Sequence, residues 1–163
     1  TRYHCVTGVQ TCALPILANS SYSTTVNRNE SEIKGLSLTS DWTLNNTLFG
    51  LNYTNQRIED TNQGIVTEDA SIAENIGLAY IGYKQPSFDI RAESQYTGKR
   101  VDGYTKAELD SYTLLNLSAN YYMTPNLTIN TRLNNLTGKE YETVYGYNQK
   151  GINAFVSATY KWF

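Results

Sequence analysis

The chain has 163 residues and a formal charge of −2, with 40% hydrophobic and only 17% charged residues. Such a near-neutral balance excludes a basic nucleic-acid footprint, and no run approaches the roughly 18 apolar residues that a membrane helix needs. Fourteen tyrosines against three prolines and one methionine, with abundant Asn, Thr and Ser, favour strands and turns. A soluble all-β domain and a membrane β-barrel both satisfy these bounds.

Residues 1–16, TRYHCVTGVQTCALPI, hold both cysteines, Cys5 and Cys12, and the only histidine, His4. The stretch 6–16 reads like the translation of a sequencing-library adapter, a scar to be set apart from the fold. A signal peptide is the rival reading, but a basic n-region followed by an apolar core is missing. Three potential ligands without a fourth make a weak zinc signal, so no metal and no cofactor is expected. The domain division is therefore a non-native leader at 1–16 and a native segment at 17–163.

From residue 21 onward, apolar and polar residues alternate with period two, the mark of strands with two unlike faces. The weaker stretches are 21–26, 33–42, 48–55 and 72–83. In 88–96, Phe88, Ile90, Ala92 and Tyr96 oppose Asp89, Arg91, Glu93 and Gln95. Leu115, Leu117, Ala119 and Tyr121 oppose Asn116, Ser118 and Asn120, and 127–134 repeats the pattern. The last stretch, 152–162, sets Ile152, Ala154, Val156, Ala158, Tyr160 and Trp162 against Asn153, Ser157, Thr159 and Lys161, with Phe155 as the exception on the polar side. About eight strands are predicted.

Tight turns at 43–46, 84–87 and 123–126 alternate with longer polar loops at 27–31, 56–71, 97–110 and 135–151. An antiparallel up-and-down meander with every tight turn at one end gives that order, as in outer-membrane barrels. Aromatic residues fall in two bands. Trp42, Phe49, Tyr83, Phe88, Tyr121, Tyr122, Tyr160 and Trp162 lie beside the tight turns or the C-terminus, while Tyr96, Tyr112, Tyr141, Tyr145 and Tyr147 lie beside the long loops. The girdle candidates are Trp42, Phe88, Tyr96, Tyr121, Tyr160 and Trp162. A strand of ~10 residues tilted by ~45° covers roughly the ~25 Å apolar band of such a barrel. In a soluble sandwich the same alternation would bury the apolar faces of two sheets against each other. Only the medium on the apolar side distinguishes the two.

The C-terminal third carries a resemblance. Asp110-Ser111-Tyr112-Thr113-Leu114-Leu115-Asn116-Leu117 is followed by Thr124-Pro125-Asn126-Leu127-Thr128-Ile129. Asn134-Asn135-Leu136-Thr137-Gly138-Lys139-Glu140-Tyr141 comes next, then Tyr145-Gly146-Tyr147-Asn148 and a closing aromatic strand. In this order they resemble the last strands of TonB-dependent outer-membrane receptors, and the spacing around Tyr145-Gly146-Tyr147 is most similar to the cobalamin-receptor-like branch. Glu32-Ile33-Lys34-Gly35-Leu36 is similar to a mid-barrel strand opening in the same family.

The resemblance implies a bacterial outer-membrane protein, an all-β barrel of 22 strands around an N-terminal plug, of which this chain would hold the last eight. It implies import of a scarce, bulky nutrient such as an iron–siderophore complex or vitamin B12. The implied partners are outer-membrane lipid, TonB, the barrel-assembly machinery and the small-molecule nutrient. It also implies an assembly signal, assigned to Ala158, Tyr160 and Trp162, with Phe163 as an overhang. Two alternatives remain at this point: a self-contained eight-stranded structural or adhesion barrel, and a soluble sandwich binding module.

Asp89, Arg91, Glu93, Asn130 and Arg132 share one face and are read as lumen-facing, because Arg or Lys at a bilayer midplane would cost about 2–4 kcal/mol. Arg91 and Glu93 sit two apart on that face, which favours a ladder of ion pairs over acid–base chemistry. Tyr141, Tyr145 and Tyr147 are the ligand-contact candidates, since tyrosine offers a broad apolar face and a hydroxyl. No Cys or His lies outside the leader, so Ser–His–Asp and Cys–His catalysis is excluded and no enzyme is expected.

Overall fold

Strands with unlike faces must pair in phase, because a slip of one residue would move every apolar side chain to the polar side. The computed structural model describes residues 2–7, 10–11, 15–17, 25–27, 30–62 and 65–162, with side chains over 31–61 and 65–162. Eight strands form the main path of one antiparallel sheet, to which the short Gln10–Thr11 and Ile65–Glu68 also pair: β1 (Arg2–Thr7), β2 (Glu30–Leu44), β3 (Thr47–Asn62), β4 (Asn75–Lys84), β5 (Phe88–Thr97), β6 (Tyr112–Thr124), β7 (Leu127–Asn134) and β8 (Asn153–Tyr160). Each pairs with its neighbour in sequence, which is the expected meander. The tight turns join β2 to β3, β4 to β5 and β6 to β7 at one end. Asn45 opens the first of them at φ +52°, a left-handed conformation that asparagine tolerates.

Register fixes the faces. Trp42, Phe49, Ile81, Ala92, Leu117, Leu133 and Ala154 are successive cross-strand partners and form one apolar row. Gly82, Arg91, Ser118, Arg132 and Phe155 form a row on the other side. Among the described residues no second sheet covers the apolar side. Ile81 is 57% and Val156 72% exposed, whereas the buried apolar residues among those described are Ile58, Ala73 and Leu109, none of which lies in that apolar row. Leaving an Ile, Leu or Val side chain in water forgoes about 1.5–3 kcal/mol, so a soluble sandwich does not account for this surface. The closed eight-stranded barrel fails as well, since β8 pairs with β7 and not with β1.

Two expectations need correction. The sequence sets the leader, residues 1–16, apart from the fold and offers 21–26 as the first alternating stretch. Instead Arg2–Thr7 pairs with β2 from Leu36 to Asp41, and Thr25–Asn27 pairs with Pro15–Leu17 in a separate ladder; residues 21–24 lie outside the described residues. An open edge offers unpaired N–H and C=O groups to any extended segment, and main-chain pairing does not depend on that segment's origin.

The second correction concerns 56–71, expected to be loop. β2 and β3 stay paired as far as Glu30 and Thr61, and Ile65–Glu68 folds back onto β3. Beyond Leu36 and Asn55 the pattern inverts. Lys34, Glu32, Arg57 and Glu59 continue the row of Leu36, Leu38 and Tyr53, while Ile33 and Ile58 occupy the other face. Lys34 bonds Glu32 at 2.9 Å, and Arg57 bonds Glu68 at 2.7 Å. Charges on the formerly apolar face mark the level at which hydrocarbon contact would end.

Ala92 lies halfway between Phe88 and Tyr96 and pairs with Ile81, so Ile81 sits at mid-height of the apolar band. In lipid vesicles, Ile81→Arg is expected to cost about 2–4 kcal/mol and Leu44→Arg, beside the turn, about 0–1 kcal/mol. Denaturant unfolding reads the difference, and equal costs would contradict a depth-graded medium.

Candidate functional site

Asp89, Arg91, Glu93, Asn130 and Arg132 all lie on the polar face, as their register requires. Glu93 is shared by two cations, Arg91 at 3.4 Å and Arg132 at 3.6 Å, so the expected ladder spans β5 to β7. Both cations are more than one-third exposed, and each pair contributes little. Asp89 does not join that ladder. It accepts from Asn120 Nδ2 at 2.8 Å and from the Tyr122 hydroxyl. Asn130 Nδ2 donates to Thr159 Oγ1 at 3.2 Å. Asp89 and Asn130 thus bond polar neighbours on adjacent strands, and none of these five residues is set up in an acid–base pair.

Tyr80 and Asp41 also belong to this network. The Tyr80 hydroxyl donates to Asp41 Oδ1 at 2.5 Å, and the Arg91 guanidinium lies 3.8 Å over the Tyr80 ring. The ring crosses β3 over Gly50, where a Cβ would come within 2.5 Å of Tyr80 Cε1. A lone glycine in an alternating strand signals close approach of another group, and that was the available clue to Tyr80.

On the apolar face, Trp42 stacks against Phe49 at 5.6 Å and Tyr83 against Phe88 at 6.2 Å, all beside the tight turns. Tyr121 and Tyr160 share the face. Trp162 follows β8 and meets Tyr160 edge-on at 5.0 Å; Ala158 and Tyr160 are in phase with Ile129 and Leu127. Phe163 lies outside the described residues. The band at the other end differs from expectation. Tyr96 occupies the apolar face with Tyr53, but Tyr112 lies on the polar face, as Tyr122 does at the turn end.

Tyr112 has a different partner. Its ring centroid lies 4.4 Å from that of Tyr141, and both line a 320 Å³ crevice with Glu108, Lys139, Glu142 and Tyr145. Tyr145 is 52% and Tyr147 70% exposed. The crevice separates the loop 98–111, which follows β5, from the loop 135–152, which follows β7. Asp102 accepts from Tyr104 N, Thr105 N, Thr105 Oγ1 and Tyr145 N. These donors, Thr105 foremost, hold its carboxyl down at about 2. Its charge therefore supports the loop fully above the ordinary carboxylate value, and that support is lost as pH falls from there to about 2.

Asn135 pins the start of the second loop. It is 2% exposed and left-handed at φ +53°. Its side chain accepts from Lys139 N at 2.9 Å and donates to Lys139 O at 2.9 Å and Lys150 O at 3.3 Å, while its own N–H donates to Asn116 Oδ1 at 3.0 Å. One asparagine thus holds both ends of the loop together. No group of three or more His, Cys, Asp or Glu residues among those described is placed to hold a metal ion.

A family model for the TonB-dependent receptor-like β-barrel matches residues 5–136. The chain belongs to this family. The vitamin B12 transporter BtuB of Vibrio vulnificus is 39% identical over 85 residues, covering 49% of this chain and 14% of that protein. BtuB of Photobacterium profundum is 25% identical over 138 residues, 84% of this chain and 22% of that protein. The FrpB iron transporter from Neisseria meningitidis shares the fold with a TM-score of 0.68 at 14% identity, over 97% of this chain and 28% of that one. The chain spans less than a quarter of the length of the curated relatives it matches. As a TonB-dependent receptor segment it is a protein of the bacterial outer membrane, and it is not an enzyme.

In this receptor segment, Asn135→Gly keeps the backbone conformation but removes the side-chain bonds, and is expected to cost about 1–3 kcal/mol. Asn135→Ala adds the left-handed penalty of about 1–2 kcal/mol. Unfolding titrations with limited proteolysis of 135–152 measure both; two variants as stable as the wild type would contradict the pinning role.

Proposed function

We propose that residues 17–163 form the C-terminal wall and external loops of a TonB-dependent receptor that imports a corrinoid of the vitamin B12 type. The observation that carries this reading is the 39% identity to a vitamin B12 transporter. Charge supports it. At the loop end of β2 and β3, Glu32, Glu59, Glu68, Asp69 and Glu74 outnumber Lys34 and Arg57. An acidic rim repels polyanionic iron complexes and accepts a neutral corrinoid. Iron–siderophore import is the second reading, favoured by the fold shared with an iron transporter, but at 14% identity that likeness speaks to architecture.

In this reading the open sheet is completed by further strands into a 22-stranded barrel around a plug. The apolar face meets outer-membrane lipid, with Trp42, Phe88, Tyr121, Tyr160 and Trp162 at one interface and Tyr96 at the other. Asp89, Arg91, Glu93, Asn130 and Arg132 line the lumen. Ala158, Tyr160 and Trp162 are read by the barrel-assembly machinery, and TonB acts through the complete receptor. Tyr141, Tyr145 and Tyr147 contact the nutrient, each presenting a rigid amphipathic ring. Residues 1–16 are an adapter-derived leader, for which the genomic DNA upstream of Leu17 is the direct check.

The receptor carrying this segment is expected to bind cyanocobalamin, with Tyr141→Ala and Tyr145→Ala each weakening affinity about tenfold, or about 1.4 kcal/mol. Equilibrium binding in vesicles measures this. A receptor that binds ferric siderophores and not cyanocobalamin contradicts the corrinoid assignment.

A further inference from the structure

We propose that Asp102 is a positioning residue whose two carboxylate oxygens clasp the loop after β5 to the tyrosine-bearing loop after β7, so that both meet the nutrient as one preformed wall. This rests on the reading that these loops contact the nutrient.

The two oxygens do different work. Oδ1 serves its own loop, accepting from Tyr104 N at 3.1 Å, Thr105 N at 2.7 Å and Thr105 Oγ1 at 2.8 Å. Oδ2 reaches the other loop, accepting from Tyr145 N at 3.3 Å, 43 residues away in sequence. Asp102 as a residue is 6% exposed, so water competes poorly for those donors. Each loop is internally braced: Arg100–Val101 pairs with Glu108–Leu109, and Glu142–Val144 pairs with Tyr147–Asn148. Two braced loops joined at one buried acceptor move together.

A second strut runs parallel. Arg100 Nη2 donates to the carbonyls of Glu142 at 3.4 Å and Thr143 at 3.3 Å. Its guanidinium lies 5.9 Å from the Tyr112 ring that stacks on Tyr141. Tyr145 is therefore set by a contact from the opposite loop, and Tyr141 by the first residue of β6. Preordering a contact surface lowers the entropy lost on binding, so the clasp acts on affinity and not on the later transport steps.

Asp102→Asn separates the two oxygens. The amide oxygen stays where three donors converge and preserves the loop's own turn. The amide nitrogen then faces the Tyr145 N–H, donor against donor, and the link is cut. The test uses the full receptor in vesicles, first by hydrogen exchange without ligand, then by cyanocobalamin binding and uptake. Exchange over 141–149 is expected to rise at least tenfold in the variant while 104–107 changes less than twofold. Cyanocobalamin affinity is expected to fall about three- to tenfold with the saturated uptake rate unchanged. Tyr145→Phe, which retains the backbone donor, is expected to leave exchange at wild-type level. Unchanged exchange over 141–149 overturns the clasp. Raised exchange with unchanged affinity overturns the positioning role. A wild-type receptor that ignores cyanocobalamin sinks the corrinoid reading alone, and the exchange result still decides the clasp.

Discussion

The structure depends on one constraint: the main antiparallel sheet has an apolar face that no other element among the described residues covers. Water would leave Ile81, Val156 and their neighbours unburied at a cost of kilocalories each, so hydrocarbon is the medium that makes the fold tenable. Backbone polarity then dictates the rest. In lipid every N–H and C=O must be satisfied by a neighbouring strand, which is why each strand pairs in register with the next and no helix is needed. The opposite face carries the residues hydrocarbon would reject, and Asp89, Glu93 and Asn130 bond or pair with polar side chains on other strands.

The same constraint sets where the strands stop being membrane elements. On β2 and β3 the face inverts at Leu36 and Asn55, after which Lys34, Glu32, Arg57 and Glu59 stand where Leu38 and Tyr53 stood one level below. The hairpin continues beyond the lipid because pairing remains favourable in water, while the side chains obey the new medium. The two ends of the sheet solve different problems. Tight turns need only a left-handed Asn45 or a proline; the long loops need internal anchors, and Asn135 and Asp102 supply them with few residues and many hydrogen bonds.

Much of this was legible in the sequence. The alternation in 88–96, 115–121 and 127–134 gave the strands, and their phase gave the faces, including Phe155 on the polar side. The inversion at 56–62 was not legible, because charges replacing apolar residues on one face resemble a loop when the medium changes along the strand. Tyr112 falls in the long-loop aromatic band by chain position, which does not reveal face; its even phase with Asn116 does. The Tyr80–Asp41 bond, the Asp102–Tyr145 link and the pairing of β1 depend on register between distant segments, which no local pattern encodes. Gly50 was the one written hint.

The most direct test is solvent accessibility on adjacent residues of the same strands. Nitroxide labels at Ile90→Cys, Ile129→Cys and Val156→Cys, and at Asp89→Cys and Asn130→Cys, would be compared in the receptor in lipid vesicles. Collision with dissolved oxygen should exceed collision with a water-soluble nickel chelate at the first three positions and reverse at the other two. Chelate access at Ile90, Ile129 and Val156 equal to that at Asp89 and Asn130, or oxygen and chelate both excluded there as in a dry protein core, would contradict the account.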